Sequence, residues 1–277
     1  MNKFKPSDVI SELRELYARN ALIPFVGAGF SVPLSLPNWS NLMGELGKQL
    51  GYDKEIFLEL GTFQQLAEYV YVEKQREWKK FLLNLATEFN SPTSCEKRKK
   101  SVQHQALANL DFKTIYTTNY DLHIEEAIND SGKRAFAIST YEDFIMASQS
   151  EKYDCEVLKF HGTLEDNSGI VLTESQYFGR MGLEGAIDQR LRSDVLTNSF
   201  LFIGYSFSDP NIRYIFYKLH RLREQIGTKS GSPNSYFASF GTNDIQSILL
   251  KQWHIKVIEL DPSDKERSVA ELLKALK

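Results

Sequence analysis

Four short segments of the chain contain residue types that can bind phosphate or move protons. Each segment follows a run of apolar residues and consists mainly of glycine and polar side chains. The segments are Gly27-Ala28-Gly29-Phe30-Ser31, Thr117-Thr118-Asn119-Tyr120-Asp121, Phe160-His161-Gly162 and Gly204-Tyr205-Ser206-Phe207-Ser208-Asp209-Pro210. Each alone is also typical of an ordinary turn or helix cap, so the set carries more weight than any member.

The first segment has the form of a phosphate-binding turn. Gly27 and Gly29 follow the apolar run from Leu22 to Val26, and glycine lets a backbone approach a bound group closely and adopt unusual φ values. Where such a turn leads into a helix, unpaired N–H groups and the positive end of the helix dipole attract phosphate. Without the third glycine of the dinucleotide fingerprint the motif is weak, and a plain turn is the alternative.

His161 is the residue of the set best suited to accept a proton. An imidazole with a pKa near 6.5 can act as a general base at neutral pH without a large shift. Taken alone, a histidine at a strand end is more often bonded to its neighbours than catalytic. Its place among the other three segments favours catalysis.

The apolar runs before the four segments are predicted to be strands, and helical patterns separate them. Further strands are expected at 135–139, 169–172, 236–240 and 255–260. This alternation predicts an α/β fold with a Rossmann-like, mostly parallel sheet and helices on both faces. Ligands bind beyond the carboxyl ends of such strands, where all four segments would lie.

A long helical stretch, about residues 39–110, is predicted as an insertion after the first strand. Its apolar residues recur at helical spacing through most of its length. Within it, Asn90 to Lys100 is predicted to be a surface loop, because Pro and Ser stand near one end and a basic run at the other. We expect residues 1–277 to form a single domain.

The composition narrows the classes of function. The 277 residues are 42% hydrophobic with a formal net charge of -3, so direct nucleic-acid binding is not expected. Cys95 and Cys155, the only cysteines, cannot supply a four-thiolate zinc site and favour a reducing compartment. With no apolar secretion core and no run near the roughly 20 residues that span a bilayer, we expect a cytoplasmic protein without a membrane segment.

In their order, the four segments resemble the motifs of SIR2-like proteins. These are relatives of the NAD-dependent sirtuins and are found as toxic effectors in bacterial antiphage defence. The resemblance runs from about Leu22 to Tyr214 and includes Pro37-Asn38-Trp39 and Leu172-Thr173-Glu174-Ser175-Gln176-Tyr177. The ordered set is specific, whereas no single motif is.

The resemblance implies that small residues of the first and fourth segments bind NAD as the substrate: Gly27, Ala28, Gly29, Ser31, Gly204 and Ser206. The amides of the first three and the Ser31 hydroxyl would hold the pyrophosphate. Gly204 and Ser206 would approach the adenosine half.

It likewise implies three catalytic residues. Asn119 would position the nicotinamide ribose and a water, and Asp121 would hydrogen-bond the nicotinamide carboxamide. His161 would be the general base acting on a ribose hydroxyl or that water. Nicotinamide leaves as a neutral molecule from an oxocarbenium-like sugar, as in glycoside hydrolysis, so the reaction needs positioning more than a strong acid, and no metal is expected.

The chain departs from protein-deacetylating sirtuins in two ways. It lacks their four zinc-binding cysteines, so no zinc module is expected, and Phe30 to Ser35 contains no arginine where they have one. Water is therefore the default nucleophile, and the expected reaction is hydrolysis of NAD to nicotinamide and ADP-ribose. Two alternatives stay open: a domain that binds NAD or ADP-ribose without turnover and recruits a partner, and a protein deacylase.

Regulation and three other polar residues complete the expectations. Because an unrestrained NAD hydrolase would harm its cell, we expect a homo-oligomer that works with a partner such as a helicase-like ATPase. His104 is expected to pack at a helix end and His123 to lie on the surface of a helix. Asp209 is expected to cap the helix that Pro210 opens.

Overall fold

Seven strands form one parallel sheet in the computed structural model. They are β1 (Leu22–Val26), β2 (Thr114–Thr117), β3 (Ala135–Ile138), β4 (Cys155–Lys159), β5 (Ser199–Ile203), β6 (Ser235–Ser239) and β7 (Ile255–Glu259). Their order is β3-β4-β2-β1-β5-β6-β7, and every pairing is parallel. The structure describes residues 6–36, 39–150, 152–164, 169–182, 184–206, 210–225, 235–242 and 244–277.

Helices fill the connections between the strands. They are α1 (Pro6–Ala18), α2 (Trp39–Gln49), α3 (Lys54–Glu59), α4 (Phe63–Glu73), α5 (Gln75–Phe89), α6 (Pro92–Lys100), α7 (Val102–Ala108), α8 (His123–Asp130), α9 (Tyr141–Gln149), α10 (Glu174–Met181), α11 (Ala186–Thr197), α12 (Pro210–Gln225), α13 (Asp244–Gln252) and α14 (Lys265–Lys274). Short 3-10 helices cover Ala28–Leu34 and Pro262–Asp264.

Helices pack on both faces of the sheet. Buried residues of α1, α7, α8 and α14 form one hydrophobic core with one face, and buried residues of α9, α11, α12 and α13 form a second core with the other. Strands covered on both sides are apolar along their whole length, as the fully buried β1 and β5 are. The predicted Rossmann-like α/β fold is confirmed.

A third core belongs to the helices between β1 and β2. We call α2 to α5 the helical cap. Its buried side chains, among them Met43, Phe57 and Leu85, pack together with Tyr120 and Leu172, which follow β2 and β4 in the chain. The predicted helical insertion after the first strand is therefore present, and its core is shared with segments at the sheet edge.

The predicted surface loop from Asn90 to Lys100 is wrong, because Pro92 to Lys100 is helix α6. Ser91 caps this helix by accepting a hydrogen bond from the Ser94 N–H at 3.3 Å, and Pro92 occupies the first turn, where its missing N–H is tolerated. The basic run lies in the last turn, where the helix dipole favours positive charge. The sequence thus contains the cap, the proline and the basic last turn of a helix, in a segment that is polar almost throughout.

The predicted strand at 169–172 is also wrong. Gly169 lies in a turn and 170–172 have no regular structure, although the Val171 N–H donates to the His161 carbonyl at 2.9 Å. The side chains of Ile170 and Leu172 pack into the cap core instead. Thr173 then caps α10 by accepting a hydrogen bond from the Gln176 N–H, so a helix begins directly after this segment.

Candidate active site

The structure brings the four motif segments to one edge of the sheet. They follow β1, β2, β4 and β5, which are neighbours in the order β4-β2-β1-β5. Because all four strands are parallel, their carboxyl ends meet at the same edge. Residues 207–209, including the predicted cap Asp209, lie outside the described residues.

Asn119 and His161 follow the ends of two adjacent strands, β2 and β4. Thr117 of β2 is paired with Lys159 of β4, and each of the two site residues lies two positions beyond its member of that pair. Neighbouring strands are about 4.8 Å apart. The polar amide and the imidazole therefore extend from adjacent strand ends, as a shared site requires.

The glycines hold the ends of β1 and β5 together. The Gly27 N–H donates to the Ile203 carbonyl and the Gly29 N–H donates to the Gly204 carbonyl, both at 2.8 Å. A Cβ on Gly29 would lie 2.7 Å from that Gly204 oxygen, and a Cβ on Gly204 would lie 2.6 Å from the Phe30 nitrogen. Glycine is required here because two backbones touch.

This arrangement changes which amides are available to a phosphate. The N–H groups of Gly27 and Gly29 already have acceptors in the protein, and the Tyr205 ring lies 2.5 Å from the point where a Gly27 Cβ would stand. Ala28 is exposed, and no acceptor for its N–H is found among the described residues. Pyrophosphate binding at this turn stays a prediction, with Ala28 as its best-placed donor.

Three side chains from two segments form a buried hydrogen-bonded chain. Asn119 Nδ2 donates to Ser31 Oγ at 3.1 Å, and the Ser31 hydroxyl donates to Asp121 Oδ2 at 3.4 Å. A carboxylate only accepts hydrogen bonds, so the Ser31 hydroxyl donates to Asp121, and its oxygen accepts a hydrogen bond from the NH₂ group of Asn119. The orientation of the Asn119 amide is thus set by Asp121 through Ser31.

This orientation leaves the carbonyl oxygen of Asn119 without a partner. Asn119 is buried, and its Oδ1 has no hydrogen bond to any residue that the structure describes. A buried acceptor without a donor carries a cost of about 1–3 kcal/mol. A hydroxyl group of a ligand, or a water bound with it, could donate a hydrogen bond to Asn119 Oδ1. This acceptor is therefore consistent with a binding site for a polyhydroxy compound.

His161 lies in an aromatic environment. Its ring is 6.4 Å from that of Tyr120, 5.7 Å from that of Phe160 and 5.2 Å from that of Tyr177, measured between centroids. Burial, assisted by the charge of Arg180, lowers the pKa of His161 to about 3. The imidazole is therefore neutral at physiological pH and can accept a hydrogen bond, but it is a weaker base than the unshifted side chain expected from the sequence.

Arg180 is a charged residue near His161 that lies outside the four motif segments. Its guanidinium carbon lies 4.4 Å above the centre of the Phe160 ring, and Nη1 forms an ion pair with Asp188 at 3.0 Å. Arg180 and Asp188 lie on α10 and α11, and neither belongs to a motif. Only the packing of these helices against the end of β4 places the charge near His161.

The remaining histidines of this region have structural contacts. His104 is buried, with Nδ1 2.8 Å from Ser101 Oγ, and burial lowers its pKa to about 3, which agrees with the predicted packing role. The prediction that His123 lies on the surface is wrong, because it is fully buried and its Nε2 lies 2.9 Å from the Phe89 carbonyl oxygen. That carbonyl belongs to the cap.

Ser206 and the cysteines complete the predicted set. Ser206 is exposed just beyond β5, so its predicted contact with adenosine stays a prediction. Burial raises the pKa of the Cys155 thiol to about 12, so it is not a thiolate. In the part of the chain that the structure describes, no three His, Cys, Asp or Glu side chains are placed to hold a metal ion, and no helix is long and apolar enough to cross a membrane.

The sequence of this chain is similar to those of several curated proteins. A curated protein named NAD(+) hydrolase ThsA from Cytobacillus dafuensis is 28% identical over 285 residues, covering 95% of this chain and 54% of the relative. The protein of the same name from Enterococcus faecium is 32% identical over 197 residues, covering 71% and 39%. Defense-associated sirtuin 2 of Bacillus subtilis is 25% identical over 221 residues, covering 78% and 21%.

These alignments leave much of each relative without a counterpart. The chain spans about half or less of the length of the curated relatives it matches. The family model of the SIR2-like domain matches residues 113–258, which is more than half of the chain and includes three of the four motif segments. On this match, and with the parallel sheet and the motif residues at its carboxyl edge, the chain belongs to the SIR2-like domain family.

Proposed function

We propose that this chain hydrolyses NAD to nicotinamide and ADP-ribose and acts as a gated, NAD-depleting effector in antiphage defence. The observation that carries the proposal is the buried, unpartnered Oδ1 of Asn119 on the strand end adjacent to that of His161. The names of the relatives, NAD(+) hydrolase and defense-associated sirtuin, support the same reaction and the same setting.

The reaction breaks the bond between the anomeric carbon of the ribose and the ring nitrogen of nicotinamide. The electron pair of that bond neutralises the positive pyridinium nitrogen, so nicotinamide leaves as a neutral molecule and an oxocarbenium-like sugar remains. A water oxygen then bonds to the anomeric carbon and releases one proton. The products are nicotinamide, ADP-ribose and that proton.

Asn119 and His161 divide the work of this reaction. The Oδ1 of Asn119 accepts a hydrogen bond from a ribose hydroxyl or from the attacking water, and so fixes either group beside the anomeric carbon. His161, neutral because burial lowers its pKa, accepts the proton that the water loses. A weak base is sufficient, since an oxocarbenium-like carbon is already strongly electrophilic.

The other predicted contacts define how NAD is oriented along the edge of the sheet. We assign the pyrophosphate to the turn at Ala28, the adenosine half to Gly204 and Ser206, and the nicotinamide carboxamide to Asp121. The Ser31 hydroxyl, which was expected to bind the pyrophosphate, donates to Asp121 instead. These assignments place the substrate along the carboxyl edge from β5 toward β4, in agreement with the position of ligands on parallel sheets.

We propose further that residues 1–277 form one SIR2-like domain. The core of the helical cap includes Tyr120 and Leu172 from the sheet edge, which couples the cap to the strands. A single cooperative unfolding transition is expected in denaturant, and two separated transitions would contradict a single domain.

Gating is proposed to come from a homo-oligomer and from a partner protein such as a helicase-like ATPase. Exposed aliphatic side chains on the helical cap, Leu60, Val72 and Leu83, offer apolar surface for such contacts. Native mass measurement that finds only a monomer, with full activity and no partner, would contradict this part of the proposal.

The deciding experiment measures nicotinamide release by the purified chain incubated with NAD. Wild type is expected to release nicotinamide, and Asn119→Ala and His161→Ala are expected to lose at least about 100-fold in kcat. Asn109→Ala and His220→Ala are matched controls outside the motifs. Tight NAD binding without release, under every oligomer and partner condition, would favour the non-catalytic alternative, and consumption of an acetylated peptide would favour the deacylase.

A further inference from the structure

Lys159 is a buried lysine that lies outside the four motif segments. It is the last residue of β4, its exposed fraction is 0%, and it lies two residues before His161. Its Nζ donates to the main-chain carbonyl of Asp121 and lies 3.2 Å from Glu125 Oε1. Glu125 is itself buried on α8.

A charge at this position needs a physical reason. The two residues that precede it in β4, Val157 and Leu158, are buried and apolar, as is usual in a parallel sheet that is covered on both faces. Burial of an ammonium group is costly even when it is paired, and an apolar side chain would often serve stability as well or better. Stability alone therefore does not account for Lys159.

The contacts of Lys159 connect the two segments that carry the proposed chemistry. The lysine belongs to the strand that leads to His161, and the carbonyl that it binds belongs to the segment that carries Asn119. Asp121 in turn accepts hydrogen bonds from Ser31 Oγ and from the His123 N–H. The ammonium group of Lys159 thus binds the main chain of Asp121, and the side chain of Asp121 orients the Asn119 amide through Ser31.

We infer that Lys159 and Glu125 form a positioning pair that fixes Asn119 relative to His161. The ammonium binds the Asp121 carbonyl, and the carboxylate of Glu125 neutralises and orients the ammonium. The pair does not touch the substrate; it acts through the Asn119 segment. This inference rests on the proposed NAD hydrolysis.

A positioning pair can be separated from a merely stabilising pair with three variants. Lys159→Met keeps the length of the side chain but leaves Glu125 buried without its counter-charge, which destabilises the fold. Glu125→Gln removes the countercharge of Lys159. The double variant Lys159→Met/Glu125→Gln leaves no unpaired charge and so recovers thermal stability, yet it lacks the contact to the Asp121 carbonyl.

The test measures Tm, kcat and KM for nicotinamide release by the full chain of each variant. Because a displacement of about 1 Å can cost on the order of 100-fold in rate, we expect kcat to fall about 10- to 100-fold in Lys159→Met and to stay low in the double variant while Tm recovers. KM should change far less than kcat. The control is the Lys256–Glu12 pair between β7 and α1, with Nζ and Oε2 2.6 Å apart, changed to Lys256→Met/Glu12→Gln.

Two kinetic results would overturn the inference. One is a double variant that regains both Tm and kcat, and the other is a kcat that follows Tm in every variant, the control included. Hydrogen exchange at the amides of Asn119 and His123 gives a readout that needs no turnover. Faster exchange in the double variant than in wild type supports the pair, and unchanged exchange contradicts it. Absence of nicotinamide release by wild type would instead reject the proposed function.

Discussion

At the scale of single residues, the carboxylate of Asp121 determines the orientation of the Asn119 side-chain amide. The side chain of asparagine has a donor end and an acceptor end of nearly equal size, so its environment must choose between them. Here the Asp121 carboxylate can only accept hydrogen bonds, so the Ser31 hydroxyl donates to it. The Ser31 oxygen then accepts from Asn119, which directs the Asn119 NH₂ group toward Ser31. The acceptor oxygen that remains is the atom that the proposed reaction uses.

Ser31→Ala should therefore reduce activity without unfolding the chain. The substitution removes the acceptor for Asn119 Nδ2, so the amide is no longer held in one orientation, and we expect kcat for nicotinamide release to fall about 10-fold. The loss of stability should be about 1 kcal/mol in a urea titration. Ser131→Ala, whose hydroxyl donates to the Ile128 carbonyl at 2.7 Å far from the site, is the control. Unchanged kcat in Ser31→Ala would mean that another contact orients Asn119.

His161 should make the fold less stable in acid. In the unfolded chain it binds a proton near pH 6.5, whereas in the folded chain its pKa is about 3. Between these values the unfolded state holds the extra proton, so the free energy of unfolding falls as the pH decreases from about 6.5 toward 3, and this group contributes no slope above about pH 7.

Comparison with His161→Gln isolates this contribution. Urea titrations at pH 7, 6 and 5 should show a steeper decline for wild type, by up to about 1.4 kcal/mol per pH unit. His104 has the same direction of shift but is present in both proteins, so it cancels in the difference. Parallel curves would show that His161 takes up its proton in the folded state.

At the scale of elements, much of the sheet and its edge was predictable, and some local features were not. Apolar runs such as Ser199–Ile203 predict buried strands because a doubly covered strand has no solvent face. The start of α6 was readable from Ser91 and Pro92 but was outweighed by the polarity of the segment. The burial of His123 was not readable, because it depends on a carbonyl of α5, which is distant in the sequence. The use of Gly27 and Gly29 as contacts to β5, and the charge of Lys159 beneath the site, likewise required the tertiary structure.

The contact between β1 and β5 predicts a large cost for a side chain at Gly204. This residue has φ +78, and an added Cβ would lie 2.6 Å from the Phe30 nitrogen. We expect Gly204→Ala to lower the free energy of unfolding by about 3 kcal/mol or more, of which about 1–2 kcal/mol is backbone strain.

Gly132→Ala is the matched control for that substitution. Gly132 has φ +87, but an added Cβ there meets no atom within 4 Å, so its cost should be the backbone strain alone. Urea titrations of the two variants separate the terms. Equal losses would show that the β1 and β5 ends can move apart without cost.

At the scale of the whole molecule, three cores meet around the carboxyl edge. Two cover the faces of the sheet, and the third joins the helical cap to residues that follow β2 and β4. The proposed site lies where the cap core touches the sheet edge. Its geometry therefore depends on packing that is remote from the motif residues.

Leu85→Ala in the cap core should reveal this dependence. Leu85 is buried among cap side chains, and truncation of a buried leucine costs about 2–5 kcal/mol. We expect faster hydrogen exchange in α4 and α5 and lower kcat for nicotinamide release. Asn84→Ala, at an exposed position of the same helix, should change neither. Normal kcat in a loosened Leu85→Ala variant would mean that the site does not need the cap.

The strand order also has a consequence for biosynthesis. β1 is translated before the other six strands of the sheet, yet it pairs with β2 and with β5, and β5 is not complete until Ile203. No nascent fragment shorter than this holds both the early glycine turn and the late one that completes it. For a protein proposed to destroy a coenzyme that its own cell needs, we expect this late pairing to keep the nascent chain inactive until β5 has been translated.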